Sequence, residues 1–414
     1  MSIEARLAQA GMPPLARLAW LELDLDALRG NLEVLRAAAG AGVRIEPVVK
    51  ADAYGHGAVT VSRALEDAGA DGLSVATYDE AVELRDAGIS LPILVLYPAP
   101  ASVVRDAASR RVAIALGPGD GTAEVLAAAA GLQTPLEIHL EVETGLGRGG
   151  VLAGDLATAV ATVRSAPGVH LGGIWTHLAA ADDAGSSLAQ HVRFADALGR
   201  VEDRSRPGAQ ADTVASPRRH LAASGGLLLD AVGRWDAIRT GIALYGLLPD
   251  GLIAPASMHD AAGRLQPVME LKARPVRVVD LPAGHGVSYG PTFVTARPSR
   301  IATLPVGYAD GWRRALTDRA QALVRGVRVP LVGRVAMDGV MVDVTDVPGE
   351  PVGEHDEFVL LGAQGGDRIT AHDLASACGT ITYEIVTGMS RRLARVYHAA
   401  GQIVEARTLA GGRN

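Results

Sequence analysis

The chain has 414 residues, 48% of them hydrophobic and 21% charged, with a net charge of −7. That length is too great for one ordinary domain and suggests two or three. The acidic balance argues against a nucleic-acid partner and offers no basic patch for anionic lipid. A single cysteine, Cys378, excludes an intramolecular disulfide; within Ala377-Cys378-Gly379 it reads as a small buried residue rather than a nucleophile.

The chain begins MSIEARLAQAGMPP, without the apolar core of a signal peptide, and no apolar run reaches the ~18 residues a membrane span needs. A cytoplasmic protein is expected. Residues 17–25 alternate towards a strand, and Asp24-Leu25-Asp26 then caps a helix running to about residue 39. From residue 44 strands and helices alternate. Strand-like runs lie near 44–49, 72–76, 93–97, 112–116, 135–142, 170–175, 219–223 and 236–240. Helical stretches such as 57–68, 78–87, 120–130 and 186–203 separate them.

Eight such strands in about 200 residues predict an α/β fold, an N-terminal (β/α)8 TIM-like barrel over residues 1–250. A doubly wound sheet is the alternative, but no G-x-G-x-x-G follows the first strand. Residues 204–218 are polar and read as a surface excursion. Pro249 to Pro255 reads as a linker. Beyond it short Val-rich runs recur at 266–280, 300–306, 327–335, 340–344 and 357–362, with helical pieces near 370–391. Residues 251–414 are therefore expected to form a mostly β C-terminal domain.

One stretch carries the chemistry: Val48-Val49-Lys50-Ala51-Asp52-Ala53-Tyr54-Gly55-His56-Gly57. Lys50 falls at the carboxyl end of a strand, where such folds place their sites. Only Lys50 and Lys272 are lysines; the other 37 of 39 basic residues are arginines. Arginine cannot form a Schiff base, whereas a desolvated lysine can lose its proton and act as nucleophile or base. The loops after the seventh and eighth strands hold Ser224-Gly225-Gly226 and Thr240-Gly241-Ile242. Small residues there let backbone N–H groups approach a phosphate.

The decapeptide resembles the pyridoxal-phosphate lysine motif of the alanine racemases. Lys, Tyr, Gly, His and Gly all fall at the family spacing, and the resemblance extends over about residues 18–397. It implies that Lys50 holds pyridoxal 5'-phosphate through a Schiff base. Ser224, Gly241, Ile242 and Tyr54 match positions that hold the cofactor phosphate. Two positions depart: Ala223 stands where the family often has Asn, and Arg391 where a phosphate-binding tyrosine often lies. Arg239 resembles the arginine that faces the pyridine nitrogen, and because it only donates, it would keep that nitrogen unprotonated.

Racemisation needs a base on each face of the α-carbon. Lys50 would be one, and Tyr289, in Gly286-Val287-Ser288-Tyr289-Gly290, matches the other. His177 matches the histidine linking the arginine to that tyrosine. The resemblance brings the tyrosine from a partner subunit, implying a homodimer with shared sites. Arg148 and the backbone at Met337 match the groups that hold the substrate carboxylate, and Tyr308 the tyrosine that narrows the substrate's approach. Asp182, His220, Arg314 and Arg334 fall where the family lines its access channel. Many relatives carry a carbamylated lysine where this chain has Glu141, which would supply the anion beside Arg148 directly.

The expected activity is interconversion of L- and D-alanine for cell-wall precursors. Three alternatives stay open: a broader amino-acid racemase, a decarboxylase of the same fold, and a non-catalytic cofactor-binding protein. The decarboxylases place an acid opposite the pyridine nitrogen, unlike Arg239. The non-catalytic proteins resemble the barrel alone, without a domain carrying Tyr289. No metal ligand set is expected.

Overall fold

The structure is a computed structural model that describes residues 2–204 and 216–413. Most of the polar excursion expected at 204–218 lies outside the described residues. The chain forms two compact units. One comprises residues 28–53 and 58–266; the other comprises residues 1–27, 54–57 and 267–414.

In the first unit eight parallel strands follow one another: Arg44–Ile45, Leu73–Val75, Ile93–Val95, Val112–Leu116, Leu136–Glu143, Val169–Trp175, Arg218–Ala223 and Ala237–Arg239. From the second strand to the eighth each pairs with its sequence neighbour, and the eighth pairs with the first. The ring closes where Val48 bridges Ser74: the Val49 N–H donates to Ser74 O (2.9 Å) and the Ser74 N–H to Pro47 O (2.8 Å). Closure leaves no open sheet edge. The fold class read from the sequence, a (β/α)8 barrel followed by a mostly β part, is the one found.

The second, third and fourth barrel strands are buried at every residue. That is why they read as short unbroken apolar runs: a parallel strand covered on both faces has no polar side to alternate with. Helices Ala58–Asp67, Tyr78–Asp86, Asp120–Ala129 and Ala184–Arg204 lie where the 3.6-residue patterning placed them. Two more, Val104–Ser109 and Leu156–Ser165, complete the alternation.

The second unit is built on a twelve-stranded sheet. Its surprise is the strand Ala19–Asp24, which the sequence places just ahead of the barrel. Here it lies between Met269–Ala273, antiparallel, and Ala394–Ala399, parallel. Five of its six residues are buried, so it is a central strand and shows no true alternation. Helices Ala371–Cys378 and Thr382–Thr387 supply the expected helical pieces, and burial raises the proton affinity of the half-buried Cys378 thiol.

Residues Tyr54–Gly57 belong to this second unit. The Arg395 guanidinium donates twice to Gly55 O (2.9 and 3.1 Å), and Tyr397 Oη donates to His56 O (3.0 Å). Gly55 sits at φ +82°, and a Cβ there would come within 2.2 Å of Val386 O. Backbone strain and a backbone clash therefore coincide. Gly55→Ala is expected to destabilise this unit by about 2–4 kcal/mol. The midpoint of urea unfolding would read it; an unchanged midpoint means the loop moves aside freely.

Candidate active site

Lys50 follows the first barrel strand and the Val48 bridge and opens a turn of unusual hand. Ala51, Asp52, Ala53 and Tyr54 all have φ between 53° and 55°, one turn of left-handed helix. L-residues adopt this conformation at a cost of about 1–2 kcal/mol each, so specific contacts must hold it. Glu80 provides them. Its carboxylate accepts from the N–H groups of Ala51 (2.6 Å), Ala76 (2.7 Å) and Thr77 (3.0 Å), tying the turn to the loop after the second strand. Asp52 in turn accepts from the Ala58 N–H at the start of the next helix (2.9 Å). Sequence reasoning did not single out Glu80. Its signal was present, because Thr77-x-x-Glu80 is a capping box.

With Glu80 taken up by backbone donors, Lys50 Nζ forms no ion pair among the described residues. Burial lowers its proton affinity; Arg148 and Arg239 add to this and Glu80 opposes it. Lys272 shows the opposite case. Burial disfavours its charge too, but Glu270 (3.0 Å), Glu22 (3.3 Å) and Glu357 (3.6 Å) surround it and raise its proton affinity. Of the two lysines, only Lys50 is prepared to lose a proton.

Arg148 lies in the loop after the fifth strand. Its guanidinium meets Glu141 Oε1 at 3.4 Å and sits 5.6 Å from the centre of the Tyr97 ring. Glu141 and Glu143 share one strand face but take different partners. Glu143 accepts from the N–H groups of Gly145 and Gly147, shaping the loop that carries Arg148. Burial raises the proton affinity of Glu141, partly offset by Arg148. At 3.4 Å the glutamate reaches Arg148 directly, at the long end of a hydrogen bond.

Arg239 ends the eighth strand and is only 2% exposed. Every hydrogen bond it makes is to a neutral acceptor. Nη1 donates to His220 Nδ1 and His220 O, and Nη2 to Thr176 O (2.9 Å) and, at 3.4 Å, towards His177 Nδ1. Trp175 covers its face at 4.6 Å. Nε makes no hydrogen bond among the described residues, a spare donor on a buried cation. Burial lowers its proton affinity to about 10, so it stays protonated at neutral pH. Burial and the cations Arg239, Arg148 and Lys50 push His177 down to about 3, so its imidazole is neutral. His220 does not line an access channel. It is fully enclosed in the barrel core, because its ring is the acceptor that Arg239 requires.

Ser224 and Gly241 meet at the ends of the seventh and eighth strands. Ser224 Oγ accepts from the N–H groups of Gly241 (2.9 Å) and Ala243 (3.2 Å), which leaves its hydroxyl proton to donate outward. Ile242 is fully buried beside them. Gly225 and Gly226 are small for packing reasons: a Cβ on either would press on Ala181 (2.6 Å) or Leu178 (2.9 Å).

The remaining residues lie in the second unit. Tyr54 is 7% exposed, its ring 6.1 Å from that of Tyr383, and burial raises its proton affinity, so it remains a hydroxyl. Tyr289 is 75% exposed at the tip of a hairpin between Gly286–Val287 and Phe293–Val294. Ser288, at φ 66°, anchors that tip by donating to Arg334 O (2.6 Å). A few residues on, the Tyr308 N–H donates to Ala336 O (3.1 Å) and the Ala309 N–H to Met337 O (3.0 Å). The side chains of Tyr308 and Met337 are both exposed. This unit thus brings Tyr289, Tyr308 and Met337 onto connected loops.

Comparison with known proteins agrees with this arrangement. Residues 23–249 match the alanine racemase N-terminal domain family and residues 268–397 the alanine racemase C-terminal domain family. The chain is 39% identical over 381 residues to an alanine racemase of Syntrophobacter fumaroxidans, covering 92% of this chain and 97% of that one. It is 41% identical to one of Sorangium cellulosum over 391 residues, 91% and 98% of the two chains. Among solved structures, alanine racemase from Streptomyces lavendulae superposes with a TM-score of 0.83 at 37% identity, covering 94% and 98%. That from Bacillus anthracis with bound L-Ala-P gives 0.85 at 33%, covering 96% and 99%. The chain belongs to the alanine racemase family of isomerases.

Proposed function

We propose that this protein interconverts L- and D-alanine using pyridoxal 5'-phosphate held by Lys50, with Lys50 and Tyr289 as the two bases. The observation that carries this reading is the Lys50 amine: unpaired, of lowered proton affinity, and flanked by two guanidiniums at the carboxyl end of a barrel strand. The residues fit the cofactor. Lys50 offers a free amine, Arg239 a spare Nε donor on a buried cation, and Ser224 an outward hydroxyl beside Gly241 and Ile242. Tyr54 adds a second hydroxyl for the phosphate, and His177 a neutral imidazole beside Arg239. When bound, pyridoxal phosphate draws electrons from the alanine Cα and makes its proton removable.

The chain's own groups do the rest. Arg148, aimed by Glu141, binds the substrate carboxylate, with the Met337 backbone as a further donor; Tyr308 narrows the approach. Lys50 Nζ takes or returns the proton on one face of the α-carbon. Tyr289 Oη serves the other, supplied by a partner subunit in a homodimer with shared sites. The low proton affinity of Lys50 lets its amine act as a base near neutral pH. Arg239 only donates, so it passes no proton to the ring nitrogen and restrains side reactions. The D-alanine formed would feed cell-wall peptidoglycan. A cytoplasmic setting is supported by the single cysteine; no described helix is long and apolar enough to cross a membrane.

Three experiments test this. Borohydride treatment of the purified protein should trap the cofactor on Lys50; a label on Lys272 would overturn the assignment. Tyr289→Phe should keep the cofactor spectrum and lose alanine racemisation by roughly 100-fold or more, the scale of a lost acid–base group. Full activity in the Phe variant removes Tyr289 from the reaction. Glu141→Gln should raise the alanine KM by about two- to five-fold, the scale of a partly exposed ion pair. An unchanged KM would show that Arg148 is aimed by other groups.

A further inference from the structure

Below Arg239 the barrel core contains a line of polar side chains that the reaction as described does not use. His220 and His139 are both fully buried. His139 Nδ1 lies 3.0 Å from His220 Nε2, and His139 Nε2 lies 3.0 Å from Glu137 Oε1. Glu137 is partly exposed and also accepts from Arg218 (2.9 Å). The line therefore runs from a solvent-reached carboxylate at the start of the fifth strand to the guanidinium at the end of the eighth.

Room has been made for it. Glu137 and His139 project from one face of their strand. On the neighbouring sixth strand stand Gly172 and Gly173. A Cβ on Gly172 would come within 2.3 Å of Glu137 Oε1, and one on Gly173 within 2.3 Å of His139 Nδ1. The pairing of the two strands slips by one residue at this point, between Ile138 and His139. Glycine inside a strand at a bulge marks a place where something must approach closely. Here that something is the two relay side chains.

The polarity of the line follows from one fact: arginine has no acceptor. Arg239 must donate to His220 Nδ1, so the His220 proton sits on Nε2. That N–H must donate to His139 Nδ1, so the His139 proton also sits on Nε2. It then donates to Glu137. The contact of 3.2 Å between Arg218 Nη2 and His139 Nε2 suggests the reverse. An acceptor at Nε2 would put the proton on Nδ1, facing the His220 N–H at 3.0 Å, two donors against each other. Only the downhill arrangement gives Arg239 its acceptor and avoids opposed donors between the two rings, and burial favours the neutral rings it needs.

We propose that Glu137, His139 and His220 form a relay of fixed polarity through the barrel core, which orients the Arg239 guanidinium. Glu137 and His139 are thereby positioning residues for the racemase reaction, although neither reaches the substrate. The role rests on the reading of Arg239 as the group facing the pyridine nitrogen. The polarity itself stands without it.

The test begins with the purified holoenzyme carrying 15N-labelled histidine. Both rings should show a protonated Nε2 and a bare Nδ1. An Nδ1–H tautomer or an imidazolium at either ring overturns the relay. Glu137→Gln then removes the terminal charge with the shape kept. It should shift the His139 signals and lower kcat about five-fold, the ratio between a charged and a neutral hydrogen bond. The alanine KM should hold, since Arg148 is untouched. His139→Leu, which cuts the line in the middle, should lower kcat further. Unmoved ring signals and kcat in Glu137→Gln overturn the positioning role. Wild-type protein without alanine racemisation would instead defeat the functional reading, while the tautomers still judge the relay.

Discussion

A buried guanidinium that bonds to no carboxylate is the constraint on which the barrel's interior depends. Arg239 is held by two backbone carbonyls, an imidazole nitrogen and an indole face. A cation taken out of water is costly unless its hydrogen bonds are met. A directly bonded carboxylate would have met them most simply. It would also have neutralised the field that the neighbouring groups depend on. With neutral acceptors instead, the positive charge reaches Lys50 and His177 and adds to burial, the main cause, and to Arg148 in lowering the proton affinity of both. Burial, with these two guanidiniums beside it, thus favours a free amine and a neutral imidazole in the same space.

The same economy of anions governs Lys50. Glu80 is the acid whose charge acts on Lys50, yet its oxygens are spent on three backbone N–H groups. Those bonds stabilise a left-handed turn that the side chains alone would not adopt. Holding the turn and withholding a counter-ion from Nζ are therefore one arrangement. Lys272, ringed by three glutamates in the β-rich unit, shows what the same side chain becomes when acids are left free to pair.

Arg148 differs from Arg239 in exposure and in task. Its side chain is 38% exposed, and it keeps one loose anionic neighbour in Glu141. A cation that must exchange a water shell for a substrate carboxylate cannot be locked into a tight internal pair. Glu143, two residues along the same strand face, shapes the loop through backbone bonds rather than by pairing with the guanidinium. The two arginines and the two acids of the fifth strand divide positioning from binding.

The alternation of strands and helices, the barrel class and the singular place of Lys50 were all legible in the sequence. Each is carried by local patterning: unbroken apolar runs for strands covered on both faces, 3.6-residue periodicity for helices, and one lysine at a strand end among arginines. Other features were decided by tertiary structure. Ala19–Asp24 reads as a strand, but its membership in the β-rich sheet depends on partners about 250 and 375 residues away. His220 matches a channel residue in sequence yet lies sealed in the core, because Arg239 needs an acceptor there. Glu80, Glu137 and the glycine pair Gly172-Gly173 have ordinary local contexts. Their roles arise only when barrel closure brings neighbouring strands into register. Hydrogen bonding and close packing between strands are set by three-dimensional proximity, and no local period in the chain encodes that.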